Sequence, residues 1–212
     1  KEKINKKTIF EGCSLSKSFL AFVAYQLVEE AKLELDTPMY KYLEYEPLKY
    51  DSRYKLITAR MALNHTSGLE NHKYQNIPWK FEILNNPGEK FEYSGEGYVY
   101  LSEVIQKILG KSYEEYINER VIKPLELRRT YLKYEKKSLS PFHQGSPWNY
   151  AIGHNFFGKE IEKWKPYRPY PESGINLIAE DYAKLIIAIF NNKYLSKLIT
   201  KEIVKPTSRD TS

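Results

Sequence analysis

The stretch Cys13-Ser14-Leu15-Ser16-Lys17-Ser18-Phe19 runs directly into an apolar pattern, and this junction decides the fold. The apolar residues that follow recur at helical spacing and predict a helix over residues 14–31. Ser14 and Lys17 lie three positions apart, so their side chains would share one face of that helix. A serine becomes a nucleophile when a neighbouring base removes its proton, and Lys17 is a candidate for that base. Taken alone, a capping serine beside a solvated lysine is the simpler interpretation.

Length and composition exclude several classes of protein. The chain has 212 residues, of which 42% are hydrophobic and 28% charged, as in an ordinary globular protein. Its single cysteine excludes an internal disulfide and a multi-cysteine zinc site. No apolar run approaches the roughly 20 residues of a membrane-spanning helix, and no signal peptide is visible. The net charge of +6 comes from scattered lysines, so we expect no nucleic acid partner.

Further helices follow the first one, and strand signals are sparse. Caps and hydrophobic periodicity predict helices over about 36–43, 58–64, 96–109, 112–122 and 179–190, with a capping box formed by Ser112 and Glu115. Residues 70–87 show no hydrophobic period, which predicts a surface loop. Residues 136–174 predict a long irregular excursion with one short strand at Asn149–Gly153, and a loop of this length is usually functional. The chain is therefore predicted to be mostly helical.

Four more segments follow Ser14-x-x-Lys17 in order, and the set is more informative than any member. They are Ile57-Thr58-Ala59-Arg60-Met61-Ala62-Leu63-Asn64-His65-Thr66-Ser67-Gly68-Leu69, Pro87-Gly88-Glu89-Lys90-Phe91-Glu92-Tyr93-Ser94-Gly95 leading into Gly97-Tyr98, Gly110-Lys111-Ser112-Tyr113, and Lys123-Pro124-Leu125. This ordered set resembles the serine β-lactamase and penicillin-binding protein family. Within that family it is similar to the branch of class C β-lactamases, D-peptidases and esterases. The resemblance extends from about Thr8 to about Phe190.

The resemblance implies an α+β fold of the β-lactamase/DD-peptidase type, of which this chain covers mainly the helical part. Most N- and C-terminal sheet strands of that fold have no counterpart here, so residues 1–212 are expected to form a single, partial domain. The family's third motif, Lys-Thr-Gly or His-x-Gly, is also missing. His143-Gln144-Gly145 fits its letters but lies between Pro141 and Pro147, which argues against a central strand. In isolation, the apolar face of helix 14–31 would lack its sheet partner, which predicts an unstable or aggregating chain.

The resemblance also implies roles for individual residues. Ser14 matches the acylated nucleophile, Lys17 its partner, and Tyr93 the tyrosine of a Tyr-x-Asn motif that helps to move protons. Gly95 stands where that motif has asparagine, as in some esterase-like members, and is a candidate substrate-binding position. Because the amide that would hold a substrate carbonyl is missing at Gly95, an efficient β-lactamase is less favoured.

The implied activity is that of a serine hydrolase acting through an acyl-enzyme on an ester, a β-lactam or a D-amino-acid peptide. The alternative is a penicillin-binding or peptidoglycan-sensing module that does not turn over. The implied partner is a small-molecule or peptidoglycan-like substrate, and no cofactor is required. Because bacterial members are mostly exported, the resemblance also implies a periplasmic or cell-envelope location.

Base catalysis would require Lys17 or Tyr93 to lose its usual proton. At a pKa of about 10.4 only about one lysine in 2500 is neutral at pH 7, and a tyrosine at about 10 fares little better. Burial lowers the pKa of a lysine, and an adjacent cation lowers that of a tyrosine. The two groups would titrate as a coupled pair, and the sequence leaves open which of them holds the proton.

Other residues that suggest chemistry have simpler explanations. His65 is a candidate general base, although a structural turn that ends a helix explains it as well. His154 could form a triad with Asp181 and Ser173, although nothing in their spacing requires it. Cys13 adjoins the candidate nucleophile, but consecutive residues do not share a helical face, which favours a small buried residue.

The aromatic residues of the long excursion have two possible interpretations, whereas the histidines have a simpler one. The aromatic residues either wall a pocket or only pack the loop: Trp148, Trp164, Tyr167 and Tyr170. The four histidines lack the spacing of metal ligands, so no metal site is predicted.

Overall fold

A computed structural model describes residues 3–71, 81–134 and 149–205 of the chain. These ranges contain helices and three short strands, and the helices dominate, as the sequence predicts. In chain order the elements are β1 (Phe10–Cys13), α1 (Ser16–Glu29), α2 (Ala59–Leu63), α3 (Gly95–Leu109), α4 (Tyr113–Ile117), β2 (Thr130–Tyr131), β3 (Ile175–Leu177), α5 (Ala179–Phe190) and α6 (Lys197–Ile203).

Helix α1 lies at the centre of the core. Six of its apolar side chains are at most 1% exposed: Phe19, Leu20, Phe22, Val23, Ala24 and Leu27. Helices α3 and α4 pack against it and contribute buried residues such as Leu101 and Tyr116. Burying a large apolar side chain stabilises a fold by about 1.5–3 kcal/mol relative to exposing it. Helices of the same chain thus pack on α1, while the missing sheet partner and the instability expected from it stay a prediction.

The strands form one antiparallel sheet in the order β1-β3-β2. Phe10 of β1 pairs with Leu177 of β3, and the register shifts before the end of β1. Gly12 lies at this shift, and a Cβ there would lie 2.5 Å from Leu177 Cδ2 and 2.6 Å from Ile175 Cγ2. Glycine therefore allows β1 to approach β3 closely, and this approach sets the path of the chain into α1.

The start of α1 differs from the prediction. The helix begins at Ser16 rather than at Ser14, because Cys13 adopts a left-handed φ of +44° and the next two residues form a turn. Cys13 is also exposed, so its predicted burial is wrong. The turn separates Ser14 from the helix axis and leaves its side chain exposed at the end of β1.

Other boundaries differ where local signals meet tertiary packing. The strand predicted at Asn149–Gly153 is wrong: Tyr150 forms one parallel bridge with Ile9, and Ile152 is 51% exposed, so no buried strand face exists there. The helix predicted over 36–43 is a single 3₁₀ turn at Met39–Lys41.

The helix predicted over 112–122 divides into α4 and a wider π turn at Asn118–Ile122. Its predicted capping box is confirmed, because Ser112 and Glu115 bond to each other's backbone N–H. Helix α6 was not predicted, although Ser196 caps it through the N–H of Ile199.

Candidate active site

The candidate nucleophile lies in the turn between β1 and α1. Leu15 N–H donates to the carbonyl of Gly12 at 2.9 Å, and Lys17 N–H donates to the carbonyl of Ser14 at 3.1 Å. Ser16 stabilises the turn, since its hydroxyl donates to the Cys13 carbonyl at 2.8 Å. The Ser14 hydroxyl is thus presented to solvent on a backbone that is held on both sides.

Lys17 points back from the first turn of α1 toward Ser14. Its Nζ lies 3.3 Å from Ser14 Oγ and donates to the carbonyl of Glu172 at 2.8 Å. The whole residue is only 6% exposed. A buried ammonium requires hydrogen-bond acceptors, and the Glu172 carbonyl supplies one that the sequence analysis did not identify. The sequence signal for it is the turn Pro171-Glu172-Ser173-Gly174, which precedes β3.

The segment that carries Glu172 is fastened to α1 by a second bond. Ile175 N–H, at the start of β3, donates to Ser16 Oγ at 3.0 Å. Gly174 permits the tight turn before it, because a Cβ there would lie 2.8 Å from the backbone N of Tyr170. The pairing of β1 with β3 therefore also brings the Glu172 carbonyl to Lys17.

Tyr93 approaches the same serine from the segment before α3. Its Oη donates to Ser14 Oγ at 2.7 Å, and Lys17 Nζ lies 4.9 Å from the centre of its ring. Partial burial raises the pKa of Tyr93, but the polar contacts with Lys17 and Ser14 and the charge of Lys17 outweigh burial. The pKa of Tyr93 is therefore lowered from 10.0. Ser14, Lys17 and Tyr93, here called the Ser14 site, thus meet at one oxygen.

The start of α3 follows Tyr93 directly. Ser94 caps the helix, accepting from Gly97 N–H at 3.0 Å and donating to the carbonyl of Glu70 at 2.9 Å. Gly95 occupies the first position of the helix, and its N–H donates to both the side-chain and the backbone oxygen of Asn71, each at 3.0 Å. The structure thus places Gly95 two residues from Tyr93, beside an exposed carboxamide that the sequence analysis did not single out.

His65 contacts the Ser14 site but cannot serve as its base in this geometry. Its Nδ1 accepts the N–H of Ser94 at 3.1 Å, and its ring stacks on that of Tyr93 with centroids 4.3 Å apart. Burial and, to a smaller extent, the charge of Lys17 lower the pKa of His65 to about 4, against an opposing contribution from the Ser94 hydrogen bond. The imidazole is therefore neutral at pH 7, with Nδ1 already occupied.

The alternative triad does not assemble. Asp181 is 1% exposed and accepts from the Arg129 N–H at 2.7 Å and from Thr130 Oγ1 at 3.0 Å. Ser173 donates to the Glu172 carboxylate at 3.2 Å, and His154 pairs with Glu160 in an isolated antiparallel bridge. Asp181 therefore ties the segment before β2 to the start of α5, which is a structural role.

The aromatic residues of the excursion form a partly exposed group. Trp164 packs against Tyr170 with ring centroids 5.5 Å apart, and the Arg168 guanidinium lies 4.9 Å above Tyr170. Tyr167 is 80% exposed, so it walls no pocket among the described residues. Trp148 and His143-Gln144-Gly145 lie outside the described residues.

The described residues form neither a metal-ligand cluster nor a membrane-spanning helix. Within residues 3–71, 81–134 and 149–205, no three His, Cys, Asp or Glu side chains cluster as they would around a metal ion. None of the helices in those ranges combines the length and apolarity that a membrane crossing requires.

Comparison with known sequences identifies relatives of the chain. A family model described as Beta-lactamase matches residues 1–211. Protein flp of Staphylococcus aureus (strain MW2) is 26% identical over 187 residues, which is 81% of this chain and 35% of the relative. Teichoic acid D-alanine hydrolase of S. aureus (strain MRSA252) is 26% identical over 207 residues, or 93% of this chain and 50% of the relative. The chain thus spans half or less of these relatives' lengths.

Comparison with solved structures confirms the predicted fold. The octameric penicillin-binding protein homologue of Pyrococcus abyssi aligns with a TM-score of 0.70 and 25% identity, over 96% of this chain and 50% of its own. A D-stereospecific amidohydrolase from Streptomyces sp. aligns with a TM-score of 0.77 and 21% identity, over 95% and 66%. A class C beta lactamase aligns with a TM-score of 0.73 and 23% identity, over 95% and 56%. The fold is of the β-lactamase/DD-peptidase type, and this chain matches part of each neighbour.

Proposed function

The chain belongs to the beta-lactamase family of serine hydrolases, and on that premise we propose that it forms an acyl-enzyme on Ser14. The observation that carries the proposal is the convergence of two groups on one exposed hydroxyl. Tyr93 Oη lies 2.7 Å and Lys17 Nζ 3.3 Å from Ser14 Oγ. The turn before α1 is enough to bring Lys17 near Ser14, whereas Tyr93 lies 79 positions away along the chain. Local structure does not account for that second contact.

Tyr93 and Lys17 act together as the general base in this proposal. The positive charge of Lys17 lowers the pKa of the phenol, which increases the fraction of phenolate at neutral pH. The phenolate takes the Ser14 proton while Oγ bonds to the substrate carbonyl carbon. The tetrahedral intermediate then collapses, the bond to the leaving group breaks, and the leaving group receives the proton from Tyr93.

Deacylation repeats the same proton transfers with water as the nucleophile. Water adds to the acyl carbon, its proton passes to Tyr93, and the bond to Ser14 Oγ breaks as the serine regains a proton. The products are a carboxylic acid and free enzyme. The contact of Lys17 Nζ with the Glu172 carbonyl holds the charge in place through both half-reactions.

The substrate is an ester, a β-lactam or a D-amino-acid peptide, and we propose an ester as the preferred class. Gly95 provides no side-chain amide to hold the amide carbonyl of a β-lactam or a peptide. Teichoic acid D-alanine hydrolase covers 93% of this chain, so a D-alanyl ester of an envelope polymer is the specific candidate. We further propose a location at the cell envelope, where a net charge of +6 would suit an anionic polymer.

The test follows acyl transfer and turnover separately. Full-length protein is incubated with a short-chain p-nitrophenyl ester, a D-alanyl ester and a chromogenic cephalosporin. Intact-mass measurement follows formation and loss of the acyl adduct expected on Ser14. Turnover of the esters with a transient adduct on Ser14 supports the proposal. A stable adduct with no turnover would indicate a sensor instead, and the absence of any adduct on Ser14 would refute the acyl-enzyme.

Ser18, near the start of α1, provides a matched control. Ser18 donates to the carbonyl of Leu15 at 2.6 Å and takes no part in the Ser14 site. We expect Ser18→Ala to form the adduct at the parental rate and Ser14→Ala to form none.

A further inference from the structure

The two residues that flank Tyr93 both donate hydrogen bonds to His65. Glu92 N–H donates to the His65 carbonyl at 2.8 Å, and Ser94 N–H donates to His65 Nδ1 at 3.1 Å. One residue thus binds the backbone before and after Tyr93. His65 reaches both donors because α2 ends just before it and its own φ is +60°, a left-handed value at which histidine is enriched.

The His65 ring also contacts the side chain of Tyr93 directly. The two rings stack with centroids 4.3 Å apart and planes inclined by 28°. Phe91 meets the imidazole edge-on at 5.9 Å, and Tyr98 lies against it at 5.3 Å. Tyr98 is itself held by a hydrogen bond from its Oη to the carbonyl of Leu63 at 2.9 Å. The imidazole is therefore enclosed by rings and has little freedom to turn.

The electrostatic surroundings favour an imidazole that accepts and carries no charge. The groups that face His65 are Lys17 of α1, Tyr93 before α3 and Tyr98 within α3. Burial and the Lys17 charge lower the pKa of His65 to about 4. Because Nδ1 accepts the Ser94 N–H, the imidazole proton lies on Nε2. An imidazolium could not accept that N–H and would add a second cation beside Tyr93.

We infer that His65 is the positioning residue of the proposed acyl-enzyme site: it holds the Tyr93 phenol against Ser14 Oγ through two backbone bonds and one ring stack. This inference rests on the proposed function, in which Tyr93 moves the proton. His65 touches neither Ser14 nor the substrate in that mechanism. Its effect reaches the chemistry through the distance between Tyr93 Oη and Ser14 Oγ, which is 2.7 Å when His65 is in place.

Three substitutions separate the side-chain bond that His65 Nδ1 accepts from Ser94 N–H from the stack of its ring on Tyr93. His65→Asn keeps a side-chain acceptor and tolerates the left-handed φ, His65→Phe keeps the ring, and His65→Ala loses both. We expect kcat for ester hydrolysis to fall about 10²-fold in His65→Ala, because a misplacement of about 1 Å costs that much. His65→Asn and His65→Phe should each retain more activity, and KM should stay within about twofold in all three.

A second measurement does not depend on turnover. The titration of Tyr93 is followed by tyrosinate absorbance, with Tyr93→Phe in the same background as the blank. When His65→Ala frees the phenol from Lys17, the pKa of Tyr93 should move up toward its usual value. A role limited to general stability would lower the melting temperature without this shift.

The outcomes distinguish the inference from the proposed function. Unchanged Tyr93 titration in a folded His65→Ala protein would overturn the inference, whatever the activity. Full activity in Tyr93→Phe would overturn the proton-transfer role of Tyr93, while the titration still decides whether His65 positions it. His154→Ala serves as the control, since His154 lies outside the Ser14 site, and should leave both readouts unchanged. If His65→Ala fails to fold, His65→Asn and His65→Phe give the same comparison.

Discussion

The Ser14 site and the set formed by His154, Asp181 and Ser173 offer similar chemistry, a hydroxyl with proton-accepting groups elsewhere in the chain. The fold brings only the first set together. In the Ser14 site Tyr93 Oη lies 2.7 Å and Lys17 Nζ 3.3 Å from Ser14 Oγ. In the second set Asp181 Oδ2 accepts from the Arg129 N–H and from Thr130, and neither His154 nor Ser173 is among its hydrogen-bond partners in the described residues.

The difference lies in what holds each group. The Ser14 site is fastened by backbone contacts on three sides: the turn before α1, the Glu172 carbonyl, and the His65 bonds beside Tyr93. Asp181 is fastened too, but toward the backbone that it stabilises, so its carboxylate faces no reacting atom. A buried polar group is therefore informative only once its partners are known. Four predictions test this contrast, from the largest expected effect to the smallest.

Removing either serine should separate the two sets most clearly. Ser14→Ala should lower kcat for ester hydrolysis by about 10⁴-fold or more, because no other hydroxyl lies between Lys17 and Tyr93 in the described residues. Ser173→Ala should still form the acyl adduct, as measured by intact mass. An adduct that survives Ser14→Ala and disappears in Ser173→Ala would reverse the assignment.

Removing Lys17 from the Ser14 site, and Lys184 from beside Asp181, should give the next largest difference. Lys17→Gln deletes the charge that lowers the pKa of Tyr93 and should reduce kcat by about 10³-fold. Lys184 lies 3.9 Å from Asp181, and Lys184→Gln is the matched control with an expected rate near that of the parent. Stopped-flow measurement of acylation compares the two. Equal rates in both variants would remove Lys17 from the mechanism.

The phenol should determine how the rate depends on pH. A general base acts when deprotonated, so kcat/KM should rise with pH through the lowered pKa of Tyr93 and level off above it. Tyr93→Phe should reduce the rate by about 10²-fold and abolish this rise. A profile that keeps the same midpoint in Tyr93→Phe would assign the rise to another group.

Removing the aspartate should affect stability without affecting the chemistry. Asp181→Ala leaves the Arg129 N–H and the Thr130 hydroxyl without their acceptor, which should cost about 1–3 kcal/mol in the free energy of unfolding. Denaturant titration measures this cost, and the rate per folded molecule should match the parent. A loss of rate without a loss of stability would place Asp181 in a catalytic site after all.

Much of the helical architecture was predictable because its signals are local. Helix α3 begins and ends within one residue of its predicted bounds, since its apolar period lies within the segment and Ser94 and Gly110 directly flank it. The same holds for the capping box of α4. The predicted strand at Asn149–Gly153 is wrong because a strand needs a partner along its length, and within the part of the chain that the structure describes a single bridge joins Tyr150 to Ile9.

The covering of α1 was not predictable from the helix itself. Its apolar stripe shows that something must cover Phe19, Val23 and Leu27, but a stripe carries no information about what packs on it. The resemblance suggested a sheet beyond this chain, whereas α3 and α4 pack on α1 and the three residues are fully buried within the chain.

By itself, the sequence determined the pairing of Ser14 with Lys17 and the order of the motifs that identify Tyr93. Spacing of three positions is enough for the first, because the turn that leads into α1 keeps such neighbours close, with Lys17 N–H bonded to the Ser14 carbonyl. Only the tertiary structure decided that Tyr93, 79 positions from Ser14, and the Glu172 carbonyl, 155 positions from Lys17, arrive at the same place. Contacts over such separations depend on the β1–β3 pairing and on the bonds of His65, and no local pattern encodes them.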